Sequence, residues 1–338
     1  MASQGRARSC GCLSPGLGIA LAGGGGRGLA QIGVLKVLDE ERVPVEFVAG
    51  TSIGALLGGL YALEGNAAAV ESRIMELLEG GDARPPPAIV RKFRALARRD
   101  PRSPDMPALD RLRRYWILGQ GLVRPALADG SEIRELLDDL FGDATFADTR
   151  VPLAMTAVDL DSGRRMIFAS GRLAEAVYAS MALPGLLPPA AIDGLRLADG
   201  AFAEPVPVDT CRLLGAGRVI AVDVLGPPTE SLPLRTSLEV VMRADEVARY
   251  TLEQENLLKA DLIVTPEVEA ADWADFSRPA ERIAVGERAA RESLGAIRDL
   301  VERFESMFVR AVPATGPERF EGESETACAP TSPAGRPA

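Results

Sequence analysis

A serine lies at the centre of Gly50-Thr51-Ser52-Ile53-Gly54, between a short apolar run, Phe47–Ala49, and a nearly uncharged helical stretch, Ile53–Leu63. At a strand-to-helix junction this G-x-S-x-G pattern is a nucleophile elbow. Small residues on both sides of the serine permit a turn sharp enough to project its hydroxyl at the helix N-terminus, where it can attack a carbonyl carbon. A second glycine-rich junction, Gly23-Gly24-Gly25-Gly26-Arg27-Gly28, precedes it and joins the apolar run Leu17–Ala22 to the helical stretch Leu29–Glu41. Consecutive glycines cost backbone entropy, so they point to a chain that must turn tightly or offer its N–H groups to an anion. The same residues also satisfy G-x-G-x-x-G loosely, with Glu46 near the spacing of a ribose-binding acid, although Glu46 opens its strand instead of closing it. A Walker pattern fails because no Lys-Ser or Lys-Thr follows.

A serine nucleophile needs a base. The chain contains no histidine, which excludes a Ser-His-Asp triad and any metal site built on imidazole. Its three lysines, Lys36, Lys92 and Lys259, make no Ser-x-x-Lys pattern with Ser52. A carboxylate remains. Asp199, in Asp199-Gly200-Ala201 after the strand-like run Leu195–Ala198, is the leading candidate, because a loop at a strand end presents its side chain at the sheet edge where elbows sit. Asp159, Asp193 and Asp223 compete. Asp193-Gly194 and the Asp159–Gly163 segment read as hairpin turns, and Asp223 as part of an apolar strand. With an ordinary carboxylate pKa of about 3.9, such a base would keep activity well below pH 6.

The elements that must position these residues alternate. After the two strand–helix pairs comes an amphipathic helix around Val70, Ile74, Leu77 and Leu78, then a helix over Ser131–Phe141. Strand-like runs follow at Pro152–Leu160, Arg165–Phe168, Leu195–Ala198, Arg218–Leu225 and Asp261–Val264, with helical patterns over 234–258 and 279–308. This order predicts an α/β fold with one main, mostly parallel sheet and right-handed crossovers. The expected organisation is a polar, disordered N-terminal segment at 1–16, one domain over 17–310 carrying a basic helical insertion or cap at 84–130, and a disordered tail at 311–338.

The net charge of −10 argues against nonspecific nucleic-acid binding. Between Arg84 and Arg124, however, eleven basic residues face three aspartates. Apolar Ile89, Phe93 and Leu96, then Leu109, Leu112 and Trp116, recur there at helical spacing, which fits either contact with an anionic membrane surface or a solvated lid over the site. Four scattered cysteines indicate a reducing compartment, and Cys10-Gly-Cys12 alone makes a poor metal site, so no metal is expected. No run suits a signal peptide or a bilayer-spanning helix; a cytoplasmic protein, peripheral at most, is expected.

Taken together these motifs resemble the patatin-like phospholipases, in particular the bacterial branch related to neuropathy-target-esterase catalytic domains. The resemblance rests on Leu21–Gly28, Ile32-Gly33-Val34-Leu35, Gly50–Gly54, Ser180-Met181-Ala182-Leu183-Pro184-Gly185 with Pro188-Pro189, Asp199-Gly200-Ala201 and Pro205–Asp209. It implies a three-layer patatin-like domain and a lipid acyl hydrolase of phospholipase A or lysophospholipase type, without cofactor, working through a Ser52–Asp199 dyad. It further implies an oxyanion hole at the N–H groups of Gly24, Gly25 and Gly26, supported by Gly23, Gly28, Gly50, Gly54 and Gly200, with Arg27 anchoring the turn or meeting an anionic headgroup. Gln31 where many relatives carry His, Asp-Gly-Ala for Asp-Gly-Gly, and Glu204-Pro205 for an Asn-rich pair are departures that touch substrate preference more than reaction type. A noncatalytic lipid-binding protein of the same fold and a nucleotide-binding α/β protein are the rival readings.

Overall fold

A computed structural model describes residues 16–80, 126, 129–228, 234, 236–268 and 275–311. The expectations for the basic stretch and for both chain ends fall almost entirely outside these residues.

The chain opens with β1 (Leu17–Leu21), whose five residues are all buried, and β2 (Phe47–Thr51) pairs with it in parallel. Strands buried on both faces are what a parallel sheet covered by helices requires. α1 (Ala30–Glu40) connects the two, and α2 (Ile53–Glu64) follows β2 with almost every residue buried. After α3 (Ala67–Glu79) and α4 (Ser131–Phe141) come β3 (Leu153–Asp159) and β4 (Arg165–Phe168), which form a hairpin around the Asp159–Gly163 turn. Then follow α5 (Leu173–Met181), the hairpin of β5 (Ala190–Ile192) and β6 (Leu195–Asp199), α6 (Val208–Leu214) and β7 (Arg218–Val222). The last elements are α7 (Ser237–Leu257), β8 (Leu262–Val264), α8 (Pro279–Glu292) and α9 (Leu294–Ala311).

The eight strands form one sheet bonded in the order β5-β6-β3-β2-β1-β7-β8, with β4 on β3. Pairs β1–β2, β1–β7, β2–β3 and β7–β8 are parallel; those within β3–β6 are antiparallel. Side chains three apart on a strand face opposite ways. Gly18 of β1 abuts Cys211 of α6, and Leu21 abuts Gly58 of α2. The two helices therefore cover opposite faces, and the fold is a helix–sheet–helix sandwich of the α/β class.

Three details depart from the sequence expectation. The helical pattern over 279–308 is two helices, broken at Ser293, which caps the first with φ −87° and ψ −3°. Asp223 lies one residue beyond β7, not inside it. Helix α1 starts only at Ala30, since Gly25–Leu29 winds as a tighter 3-10 turn.

Candidate active site

The position of the serine follows from the register of β3. Along one edge of β3, β2 runs parallel and ends with Thr51 opposite Thr156. β4 pairs with Met155 through Val158 and so occupies the other edge. β6 pairs with Ala157, Val158 and Asp159, which leaves it only the edge that β2 has vacated. It runs antiparallel and ends with Asp199 opposite Ala157. β2 and β6 thus meet end to end on the same edge, and the residue after one and the last residue of the other become neighbours.

Ser52 occupies that junction with φ 56° and ψ −121° as the N-cap of α2. A non-glycine residue there costs about 1–3 kcal/mol and persists only when its surroundings enforce it. They do: the Ser52 N–H donates to the Ser180 hydroxyl (2.8 Å), while its carbonyl accepts from Ala55 N and Leu56 N. Thr51 is fixed beneath it, its hydroxyl donating to the Glu204 carbonyl (2.8 Å) and lying 2.7 Å from the Thr156 hydroxyl. Glu204 is in turn held by Thr210 and Arg165.

The Ser52 hydroxyl donates to Asp199 Oδ2 at 2.7 Å, and Asp199 Oδ1 accepts from the Ala201 N–H at 2.9 Å. Asp199 is only 3% exposed. Burial pushes its carboxyl up to about 6, against the opposing pull of the Ala201 N–H, the serine hydroxyl and the Arg249 charge. Desolvation thus moves this carboxyl above the ordinary carboxylate value and toward the range where histidine ordinarily titrates. The competing acids are occupied elsewhere. Asp159 accepts from Ser162 and Asp161 in its turn, Asp193 forms the β5–β6 hairpin at φ 50°, and Asp223 accepts from Leu225 N.

The glycine turn reaches the same place from β1. Gly23 donates to the Pro205 carbonyl, and a Cβ on Gly23 would lie 3.5 Å from Ser52 Cβ and 3.7 Å from Ala201 Cβ. Gly24 at φ 141° and Gly25 at φ 57° turn the chain into the 3-10 segment. The N–H groups of Gly24, Gly25 and Gly26 are the unpaired donors that open such a segment, and they find no partner among the described residues. Gly26 packs against the Asp275 carbonyl, and Gly28 and Gly200 receive Ile53 and Thr156. Arg27 donates to the Leu225 carbonyl at 2.5 Å, which makes it an anchor of the turn. Gln31, fully buried, donates to the Ala22 carbonyl and ties α1 to the end of β1.

A family description, patatin-like phospholipase, matches residues 19–212. The chain belongs to the patatin-like phospholipase family. It is 31% identical over 210 residues to a lysophospholipase of Yarrowia lipolytica, covering 62% of this chain and 12% of that protein. A patatin-like phospholipase domain-containing protein of Caenorhabditis elegans is 34% identical over 210 residues, again 62% of this chain and 13% of its own length. The chain thus spans about an eighth of the curated relatives it matches. Among solved structures, VipD from Legionella pneumophila superposes with a TM-score of 0.44 at 14% identity, over 83% of this chain and 66% of that one.

Sequence reasoning gave no role to Ser180, Thr156 or Arg249. Ser180 carried a signal, since it opens one of the motifs shared with the patatin-like family. Arg249 carried none beyond a helical period.

Proposed function

We propose that this chain is a serine-type lipid acyl hydrolase acting on phospholipid or lysophospholipid esters. The observation that carries the reading is the 2.7 Å hydrogen bond from the Ser52 hydroxyl, on its strained elbow, to the buried Asp199 carboxylate. Membership of the patatin-like family and relatives named as lysophospholipases support the substrate class.

In this mechanism Asp199 takes the hydroxyl proton as Ser52 Oγ attacks the ester carbonyl carbon. The charge that develops on the carbonyl oxygen is met by the free N–H groups of Gly24, Gly25 and Gly26. Collapse of the tetrahedral species expels the alcohol, which leaves with the proton from Asp199, and Ser52 remains acylated. Water then attacks the acyl-serine, with Asp199 again accepting and returning one proton, and a fatty acid is released. A carboxylate raised to about 6 is a better base than a free aspartate. The serine hydroxyl is still far more basic once ionised, so the three donors must supply much of the acceleration; each can contribute about 3–4 kcal/mol.

No helix among the described residues is long and apolar enough to cross a membrane.

The test compares wild type with Ser52→Ala and Asp199→Asn on a mixed lipid extract, following released fatty acid, together with labelling by a fluorophosphonate probe. Wild type should release fatty acid and take the label; Ser52→Ala should do neither, and Asp199→Asn should lose nearly as much turnover while remaining folded. Turnover that survives in Ser52→Ala refutes the proposal, and full activity in Asp199→Asn moves the base to another acid.

A further inference from the structure

One motif shared with the patatin-like family, Ser180–Gly185, takes no part in the reaction described above. It is the end of α5 and the turn that follows. Leu183 precedes Pro184, and a residue before proline is pushed out of the α region, so the helix ends at Met181. The ending has a defined shape: Ala182 adopts φ −71° and ψ 69°, and the Leu183 N–H donates to the Met181 carbonyl at 2.7 Å. This is an inverse γ-turn. It turns the Ala182 carbonyl away from the line of the helical carbonyls, so that it accepts from outside the helix.

The donor it meets is the Asp199 N–H, at 3.0 Å. Two residues earlier, the Ser180 hydroxyl accepts from the Ser52 N–H at 2.8 Å. Ser52 and Asp199 stand 147 positions apart, yet each directs its backbone N–H to the same three-residue stretch. Ser180 and Ala182 are fully buried, which shields both bonds from competition by solvent. The stretch is itself held, since α5 packs on β3 and β6 and the Tyr178 hydroxyl donates to the Pro188 carbonyl at 3.2 Å. These bonds leave Ser52 no freedom. Ser180 fixes the peptide plane before it, while Ala55 N and Leu56 N fix the plane after it through the Ser52 carbonyl. With both planes set, φ and ψ are set, and so is the direction in which Oγ leaves the chain. On Asp199 the plane before the residue is held by Ala182 and the carboxylate by the Ala201 N–H.

We propose that residues 180–182 form a clamp that fixes Ser52 against Asp199, with Ser180 as a positioning residue whose hydroxyl holds the strained elbow in its attacking orientation. The inference rests on the nucleophile and base roles proposed above. Ser180 acts through the Ser52 N–H and takes no proton in the reaction. Removing its hydroxyl leaves that N–H without an acceptor and frees the 51–52 peptide to rotate toward a relaxed φ, which carries Oγ off its line to Asp199 and to the ester carbon. A misplacement of about 1 Å is enough to cost on the order of 10²-fold in rate.

The experiment measures kcat and KM for a p-nitrophenyl acyl ester, and the rate and final extent of labelling by a fluorophosphonate probe, in the full chain as wild type, Ser180→Ala, Ser180→Cys and Ser180→Thr. The final extent counts competent molecules; the rate reports how reactive each one is. Ser180→Ala should lose at least about tenfold in kcat per labelled molecule with KM within about twofold. Its labelling rate should fall in step while the wild-type extent is still reached. Ser180→Cys, close to serine in size but with a weak sulfur acceptor, should lose as much. Ser180→Thr keeps an oxygen acceptor and should recover kcat to within about threefold of wild type. Wild-type kcat in Ser180→Ala, a loss accounted for by fewer labelled molecules, or equal loss in Ser180→Ala and Ser180→Thr would each overturn the inference. Should Ser180→Ala fail to fold, the contrast between Ser180→Cys and Ser180→Thr decides. Activity that survives Ser52→Ala breaks the underlying function reading, whereas a dead Ser52→Ala beside a fully active Ser180→Ala breaks only this inference.

Discussion

The two glycine-rich junctions, 23–28 and 50–54, stand side by side at one end of the sheet, yet their glycines meet different demands. Gly54 has an ordinary backbone; a methyl group there would collide with the carbonyl oxygens of Leu21 and Ala22 on the neighbouring strand. A methyl group on Gly24 would meet no backbone closer than 3.9 Å, only the Val224 side chain at 3.0 Å and Leu225 at 3.6 Å, but Gly24 adopts φ 141°, which L-residues rarely adopt. At the elbow, glycine lets a helix lie directly on the sheet. In the turn, it lets the backbone present unpaired donors. Gly54 is a matter of packing and Gly24 of conformation, and composition alone does not distinguish them.

The largest expected effect breaks the packing side of that comparison. Gly54→Ala drives a methyl group into fixed backbone rather than into a side chain that can swing away. Overpacking of this kind costs roughly 3 kcal/mol or more when nothing can relax. Thermal melting should fall sharply, and activity should vanish with the fold. A Gly54→Ala protein that melts like wild type would mean that α2 can lift off β1, contrary to the contact drawn here.

Gly24→Ala should show the opposite balance. The fold should survive with a modest loss of stability, since only Val224 is tight against the new methyl group. The turn should relax toward negative φ and carry its N–H groups off target. Losing one well-placed donor reduces kcat by about 10²–10³. Circular dichroism near that of wild type with a kcat reduced at least tenfold is the expected pair of readings. Unchanged kcat would remove Gly24 from the proposed oxyanion hole.

How far these differences were legible in the sequence depends on what each signal encodes. The elbow and the turn were readable because glycine at fixed offsets reports backbone demands directly. Helix Ser131–Phe141 and the hairpins at Asp193-Gly194 and Asp159–Gly163 were readable for the same local reason. The contact between Ser52 and Asp199 was not derivable from spacing. It arises because β6 runs down the edge of β3 that β2 has left, a fact of register between residues more than a hundred positions apart. From the sequence Asp199 reads as part of a loop after the strand Leu195–Ala198; it is instead the last residue of β6, a strand antiparallel to β3. Arg249 stayed hidden because a helical period says which side of α7 is buried, never what lies against it.

Asp199 adds a test that sets chemistry against stability. Its carboxyl is raised on folding, so its contribution to stability is fully present below the unfolded value of about 4 and is lost as pH rises through about 6. In the proposed mechanism catalysis has the reverse sign, because the base must be ionised: kcat should fall as pH drops through about 6. Asp199→Asn removes the ionisation while keeping an acceptor for the Ala201 N–H. At pH 8 it should therefore be inactive yet more stable than wild type, by on the order of 1–2 kcal/mol. Equal melting temperatures at pH 8 would mean that Asp199 is not desolvated in the folded protein.

The smallest expected effect asks how much of the elbow is strain. Ser52→Ala and Ser52→Gly both delete the proposed nucleophile and both leave Asp199 without its hydroxyl partner, so chemistry and that lost hydrogen bond cancel between them. What differs is the backbone. Alanine must still hold φ 56° with ψ −121°, whereas glycine can do so without a Cβ penalty. Strain of about 1–3 kcal/mol is relieved in the glycine variant, partly offset by about 0.4–1 kcal/mol from the freer unfolded chain. Ser52→Gly should thus be more stable than Ser52→Ala by about 1 kcal/mol in denaturant unfolding. If alanine proves the more stable of the two, the elbow holds its serine without strain, and the Ser180 hydroxyl and the Thr51 network beneath it act only as packing.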